Sequence, residues 1–284
     1  MSMIKKVVVT GGSGKAGRAA IRELLEHGYE VLNVDVMRPK ENLTAFRQVD
    51  LTDYGQTFVA LHGADAVVHM AANPAPDDNP QTGEERFRGN TGSTYNVFNA
   101  ATTLGLQRVV WASSETVLGL PFQRQKPHYV PIDEEQPTYP ESSYALSKVV
   151  SEEMARQFNR WTGIPFIGLR FSNIMEGPRD YEPFPTFWDD PLKRPWNLWG
   201  YVDSRDVAQA CRLGLEADFQ GAEAFIIAAG DTVMKTPSRD LMAAVFPGVP
   251  IRDDLGEFES LLSNKKAGRL LGYVPKHSWR EFVG

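Results

Sequence analysis

Tyr144 and Lys148 stand four residues apart in "SSYALSK", and Ser113 and Ser114 close the earlier apolar run "VVWASS". On a helix, that spacing sets the phenol and the ammonium on one face. A free phenol, with a pKa near 10, is a poor base at neutral pH, but a neighbouring ammonium and a cationic ring favour its ionised form. Such a phenolate can take the hydroxyl proton of an alcohol while the carbon gives up hydride. A serine at a strand end can donate to the substrate oxygen and hold that carbon in line. Tyr144 is therefore the candidate base, Lys148 its activator and ribose anchor, and Ser114 the substrate-oxygen donor.

A second constellation provides for the hydride acceptor. After the β-branched run "KKVVVT" comes "TGGSGKAG", in which Gly12, Gly14 and Gly17 satisfy G-x-G-x-x-G. Gly11, Gly14 and Gly17 satisfy the wider G-x-x-G-x-x-G register, with Ser13, Lys15 and Ala16 between them. Glycines allow a tight turn and close approach to a pyrophosphate, which sits on the free N–H groups of the next helix. Asp35 ends the following strand. A carboxylate there accepts from both ribose hydroxyls and repels a 2'-phosphate, so NAD is expected rather than NADP, with Arg38 pulling the other way. A nucleoside-triphosphate loop is excluded, because Ala16 stands where Ser or Thr would hold magnesium.

These groups need a scaffold. Short apolar runs ("KKVVVT", "EVLNVD", "AFRQVD", "ADAVVHMA", "QRVVWAS", "IPFIGLRF", "AEAFIIAA") alternate with helical patterns, which predicts a parallel sheet covered on both faces. The fold class is α/β, a Rossmann-type doubly wound parallel sheet with a small C-terminal substrate-binding domain. Residues 1–172 with 201–228 are assigned to the dinucleotide-binding domain, and 173–200 with 229–284 to the small one. The stretch 177–199 is rich in proline and aromatics, which denies regular helix and predicts a loop or subdomain packed by its rings. Phe184, Phe187, Trp188, Trp196 and Trp199 read there as core rather than as a sugar-stacking wall.

A chain of 284 residues with 42% hydrophobic content can bury a large core, and its net charge of -6 offers no cationic field for nucleic acid. The single Cys211 lies in a helical pattern and reads as a buried thiol. No run approaches the roughly 20 apolar residues of a membrane span, and the N-terminal run is too brief for a signal segment, so a soluble, cytoplasmic protein is expected, with no membrane partner. His69 reads as a strand-end structural residue, and the remaining histidines show no ligand spacing, so no metal site is expected.

In order and spacing these motifs resemble the extended short-chain dehydrogenase/reductases, the NAD-dependent epimerase/dehydratase group. The likeness takes in "TGGSGKAG", Asp35, Asp50-Leu51, "HMAA", Asn90 and Asn96, "SSETVLG", "YALSK", "LRFSNIMEGP", "YVDSRDVA" and "KKAGRLLGYVPKHS". It implies catalytic places for Ser114, Tyr144 and Lys148, and a helix-kinking, water-relaying role for Asn90. It further implies cofactor contacts from Asp50 and Leu51 at adenine, from Ala71 and Ala72, and from Phe171 to Ile174 near nicotinamide. A homodimer through the two long helices is also implied.

The departures bear on the reaction. Only residues 179 to 200 separate Pro178 from Tyr201, where nucleotide-sugar enzymes of the family carry a longer insertion. Thr116 stands where a dehydratase places its second carboxylate. A partial likeness to uronate dehydrogenases makes Glu115, Asn173 and Arg179 candidate substrate contacts, with Arg179 suited to a carboxylate. The expected activity is NAD-dependent oxidation at a hydroxyl or lactol of a free sugar, sugar acid or similar small polar molecule. Two alternatives stay open: a nucleotide-sugar 4-epimerase using the same residues, and a non-catalytic dinucleotide sensor.

Overall fold

The computed structural model describes residues 4–75 and 80–283, so residues 1–3, 76–79 and 284 of the assigned ranges lie outside the described residues. In chain order the strands are β1 (Lys6–Thr10), β2 (Glu30–Asp35), β3 (Ala45–Gln48), β4 (Ala66–His69), β5 (Arg108–Ser114), β6 (Phe166–Phe171), β7 (Ile174–Met175), β8 (Val202–Asp203) and β9 (Ala222–Ile227). Seven of them form one parallel sheet in the order β3-β2-β1-β4-β5-β6-β9, while β7 and β8 pair separately. Val7, Val8 and Val9 of β1 and Ala66, Val67 and Val68 of β4 are all buried, as continuous apolar runs must be when helices cover both faces. The outermost β3 is mostly exposed and ends in Arg47 and Gln48, a polar edge that discourages pairing with another chain.

The helices are α1 (Lys15–Glu26), α2 (Tyr54–Leu61), α3 (Pro80–Thr103), α4 (Ser143–Thr162), α5 (Gly177–Tyr181), α6 (Ser204–Glu216), α7 (Ser238–Val245) and α8 (Lys265–Leu271). One face of the sheet is sealed by α1, α6 and α8 through Ala20, Ile21, Leu24, Val207, Cys211 and Leu271. The other is sealed by α2, α3 and α4 through Leu61, Val97, Phe98, Ala155 and Phe158. A third apolar cluster joins Val117, Phe184, Trp199, Met242, Leu262 and Trp279, away from both. Cys211 is a buried free thiol whose pKa burial pushes up to about 12.

Two local expectations need correction. The stretch 177–199 holds α5 and three short 3-10 turns (Phe184–Phe187, Pro191–Lys193, Pro195–Asn197). Each has a proline at its first or second position, where the missing N–H would have had no partner in any case. Of its aromatics, Phe184 and Trp199 are core, but Trp196 is exposed and borders the main cleft. Helix α3 begins at Pro80, well before the pattern from Gly89 signals it, and α2 and α7 are single short helices the periodicity does not resolve.

Candidate active site

The order of the sheet reverses between β1 and β4, and a cleft of about 1180 Å³ lies across the strand ends there. Such switch points are where open α/β sheets bind ligands. The volume exceeds the roughly 300–1,000 Å³ of a pocket for one small molecule, which leaves room for a dinucleotide and a second, smaller ligand.

At the glycine end the chain leaves β1 through Gly11, at φ 67, and enters α1 with Gly14 as its cap. A Cβ on Gly11 would stand 2.6 Å from the Ala71 nitrogen, and one on Gly17 would stand 2.2 Å from the Gly11 oxygen. Both positions therefore demand glycine for close approach. Ser13, Gly14, Lys15 and Ala16 line the cleft beside them. The Asp35 carboxylate accepts from the backbone N–H of Ser13 (3.0 Å) and of Met37 (2.9 Å), which fixes it at the end of β2. Arg38 and Lys40 line the same end. The Lys15 ammonium pairs with Asp180 and donates to the Ile174 oxygen, tying the glycine loop to α5. Asp50 accepts from the Thr52 N–H and hydroxyl, and Leu51 is buried beside it; both line the cleft, as do Ala71 and Ala72. Asn90 brackets the Asn73 main chain, accepting from its N–H at 2.8 Å and donating to its oxygen at 3.1 Å, within an unbroken α3.

At the other end, the Ser142 hydroxyl caps α4 by accepting from the Ala145 N–H at 3.0 Å, which starts the helix just ahead of Tyr144. Tyr144, Lys148 and Ser114 all line the cleft. The Lys148 ammonium lies 5.6 Å from the centre of the Tyr144 ring and donates to the Ala112 oxygen at 2.7 Å. Burial brings Lys148 down to about 8, against the opposing charge of Glu152. Burial likewise pushes Tyr144 up to about 12; the Ser114 hydrogen bond lowers it and the Glu115 charge raises it. The phenol's expected shift to lower pKa is thus not a property of the protein alone: desolvation outweighs the Ser114 hydrogen bond, and a cation beside the ring has to supply the rest.

Ser113 is not available to a ligand in the same way. Its hydroxyl donates to Glu152 at 2.7 Å, and Glu152 holds Arg170 through two 2.8 Å bonds, a buried network clamping α4 to β5 and β6. Ser114 instead accepts from the Thr116 hydroxyl at 3.0 Å and remains at the cleft wall. Both ring nitrogens of His69 are engaged, by Thr10 and Thr94, and burial drives its pKa down to about 3, so it stays neutral as a structural residue.

Phe171, Asn173 and Ile174 line the reacting end, and Glu115 lies there fully buried, its carboxyl pushed up to about 7 by desolvation. Arg179 is exposed on α5 and is not part of the cleft wall. Ser172, within the Phe171 to Ile174 range that the resemblance sets near nicotinamide, lines it too; sequence reasoning missed Asn73 and Arg86, and read Trp196, which also lines it, as core. Trp196 sits in a segment with no periodicity to orient it. Among the described residues no cluster of histidine, cysteine or carboxylates could hold a metal ion, and no helix is long and apolar enough to cross a membrane.

A doubly wound sheet with a glycine turn at its first crossover and a cleft over the switch point defines the dinucleotide-binding class of extended short-chain dehydrogenases/reductases. Residues 7–228 match the model of the NAD dependent epimerase/dehydratase family, and the chain belongs to that family, whose members are NAD-dependent enzymes. It is 30% identical over 228 residues to UDP-glucose 4-epimerase 2 of Arabidopsis thaliana, a match covering 73% of this chain and 61% of that one. The chain thus spans about three fifths of that relative's length. It is 31% identical over 177 residues to L-arabinose 1-dehydrogenase (NAD(P)(+)) of Haloferax volcanii, covering 60% of this chain and 67% of that one. In three dimensions it resembles uronate dehydrogenase from Agrobacterium tumefaciens, with a TM-score of 0.71, 21% identity and coverage of 99% and 88%, a likeness of fold.

Proposed function

We propose that the protein is an NAD-dependent oxidoreductase that moves a hydride between the cofactor and a hydroxyl or lactol carbon of a free sugar or similar small polar molecule. The observation that carries this reading is that Ser114, Tyr144 and Lys148 border the same cleft as Gly11, Gly14 and Asp35. Gly11 and Gly17 let the turn fold tightly against Ala71 and against itself, Ser13, Gly14, Lys15 and Ala16 line the cleft beside it where a pyrophosphate would approach, and Asp35 stands at the ribose position, so the residues fit NAD. Bound NAD would supply the hydride acceptor and a positive ring beside the phenol. Ser114 then holds the substrate oxygen, Tyr144 takes its proton, and Lys148, already brought down to about 8, holds the phenolate and the ribose. The similarity to an arabinose dehydrogenase supports a free sugar as substrate.

A second reading, a nucleotide-sugar 4-epimerase, is favoured by the similarity to UDP-glucose 4-epimerase 2. Net accumulation of reduced nicotinamide with free sugars supports the first reading, and isomerised sugar nucleotide without it supports the second. Tyr144→Phe should abolish either activity while leaving NAD affinity within about twofold; full turnover by that variant would remove the phenol from the mechanism.

The division into a dinucleotide-binding part (1–172 with 201–228) and a small substrate part (173–200 with 229–284) is supported by a third apolar cluster drawn mainly from the latter, although residues between 117 and 132 also pack into it. A homodimer in the cytoplasm completes the reading. It is supported by Tyr95 on α3 and by Leu146 and Trp161 on α4, exposed apolar side chains on two helices that pack together.

A further inference from the structure

The hydride transfer proposed above leaves several buried polar atoms at the reacting end without work. Glu115 is 3% exposed; its Oε1 accepts from Asn197 Nδ2 at 3.3 Å, and its Oε2 makes no well-formed hydrogen bond, with the Asn173 backbone near enough only to ease ionisation. Ser172, also 3% exposed, makes no well-formed hydrogen bond through its hydroxyl, although it lies close enough to Glu115 to ease that carboxyl's ionisation. Buried polar groups are nearly always satisfied, so unmet ones on a cleft wall point to a ligand. Glu115 and Ser172 both lie on that wall, with Trp196 beside them.

The surroundings are built to hold this pair. Asn197 is wholly buried and also donates to the Gly200 oxygen at 2.8 Å. The two residues between, Leu198 and Trp199, are both at φ 53, a left-handed conformation that residues with a Cβ seldom adopt. Such a turn persists only where surrounding contacts impose it, and here it delivers the Asn197 amide to Glu115. A Cβ on Gly200 would come within 2.9 Å of the Ser172 hydroxyl, so that close approach requires glycine. Arg194 stands behind the carboxylate, donating to the Gly200 oxygen and facing the Trp196 ring at 5.2 Å, but it is not on the cleft wall.

We propose that Glu115 and Ser172, with Asn197 as positioning residue, form a subsite that reads neighbouring hydroxyls of an uncharged sugar and rejects sugar acids. This rests on the oxidation reading above and names its substrate class. Glu115 Oε2 accepts from one hydroxyl, Ser172 bonds the next, and Trp196 covers an apolar sugar face. Above pH 7, where Glu115 has lost its proton, a substrate carboxylate placed there would meet a second carboxylate in a water-poor site, a repulsion that Arg194 behind Glu115 offsets only in part.

The test compares initial rates of reduced nicotinamide formation by wild type and Glu115→Gln on neutral aldoses, L-arabinose and D-galactose, and on a uronate, D-galacturonate. NAD affinity by calorimetry serves as the check of folding. Wild type should favour an aldose by at least about tenfold in kcat/KM, and Glu115→Gln should narrow that ratio by about tenfold with NAD affinity retained. A wild-type preference for the uronate, or a ratio unchanged in Glu115→Gln, overturns the subsite while oxidation stands. No reduced nicotinamide from any sugar refutes the oxidation reading itself, and the subsite with it. If Glu115→Gln loses NAD binding, Ser172→Ala carries the test: a KM for aldose raised about tenfold at unchanged NAD affinity supports the subsite, and an unchanged KM overturns it.

Discussion

Replacing Glu115 by glutamine should make the protein more stable at pH 8 and leave it nearly unchanged at pH 5. The Glu115 carboxyl is pushed from its ordinary 4.5 to about 7, chiefly by burial, with Ser172, Asn197, Arg194 and the Asn173 backbone pulling back only part of the way. Between these two values the folded chain holds a proton that the unfolded chain has released. Stability contributed by this group therefore falls as pH rises through that window and levels off above pH 7. About 2.5 pH units at 1.36 kcal/mol each give roughly 3 kcal/mol. Glutamine has no proton to lose, and its oxygen can still accept from Asn197. Urea unfolding of both proteins without cofactor, at pH 5, 6, 7 and 8, should show midpoints that coincide in acid and separate by about 1 M or more at pH 8. Histidine and other titrations common to both cancel in the difference. Curves that stay parallel across the range would mean that Glu115 ionises like a solvated carboxylate, and the burial argument would fail. A stabilising substitution that costs turnover is what a site held for function rather than stability should give.

Three further outcomes follow from the geometry. Asp35→Ser removes the charge opposing a 2'-phosphate while Arg38 and Lys40 remain on the cleft wall, so the ratio of kcat/KM for NADP over NAD should rise by at least about tenfold in steady-state kinetics. Gly17→Ala forces a Cβ to within 2.2 Å of the Gly11 oxygen, a backbone atom that cannot swing away; calorimetry should show NAD affinity reduced by at least about tenfold. Glu152→Gln strips one partner from the buried pair with Arg170, which should cost about 3–5 kcal/mol in denaturant unfolding. An unchanged urea midpoint would show that water already reaches that pair.

The strands and the catalytic spacing were readable because they rest on local rules. β-branched runs between glycine turns announce buried parallel strands, and a spacing of four on one helix holds wherever that helix packs. Asp35 was legible from its distance beyond Gly17 for the same reason: a β-α-β unit fixes it. The stretch 177–199 was not, because its turns are set by tertiary contacts that override periodicity, including two buried left-handed residues, Leu198 and Trp199. Arg179 looked suited to a substrate carboxylate from its place in the chain, yet α5 carries it out to solvent.

By itself, the sequence determined the alternation that builds the sheet, the glycine turn and the residue types able to bind a dinucleotide and move a proton, since all of these depend on neighbours a few positions away. Only the tertiary structure decided which of two adjacent serine hydroxyls on the cleft wall is committed to a buried network, because Ser113 is taken by Glu152 on a helix far along the chain. It also decided the protonation of Tyr144, Lys148 and Glu115, since burial sets those values and burial is a property of the packed fold.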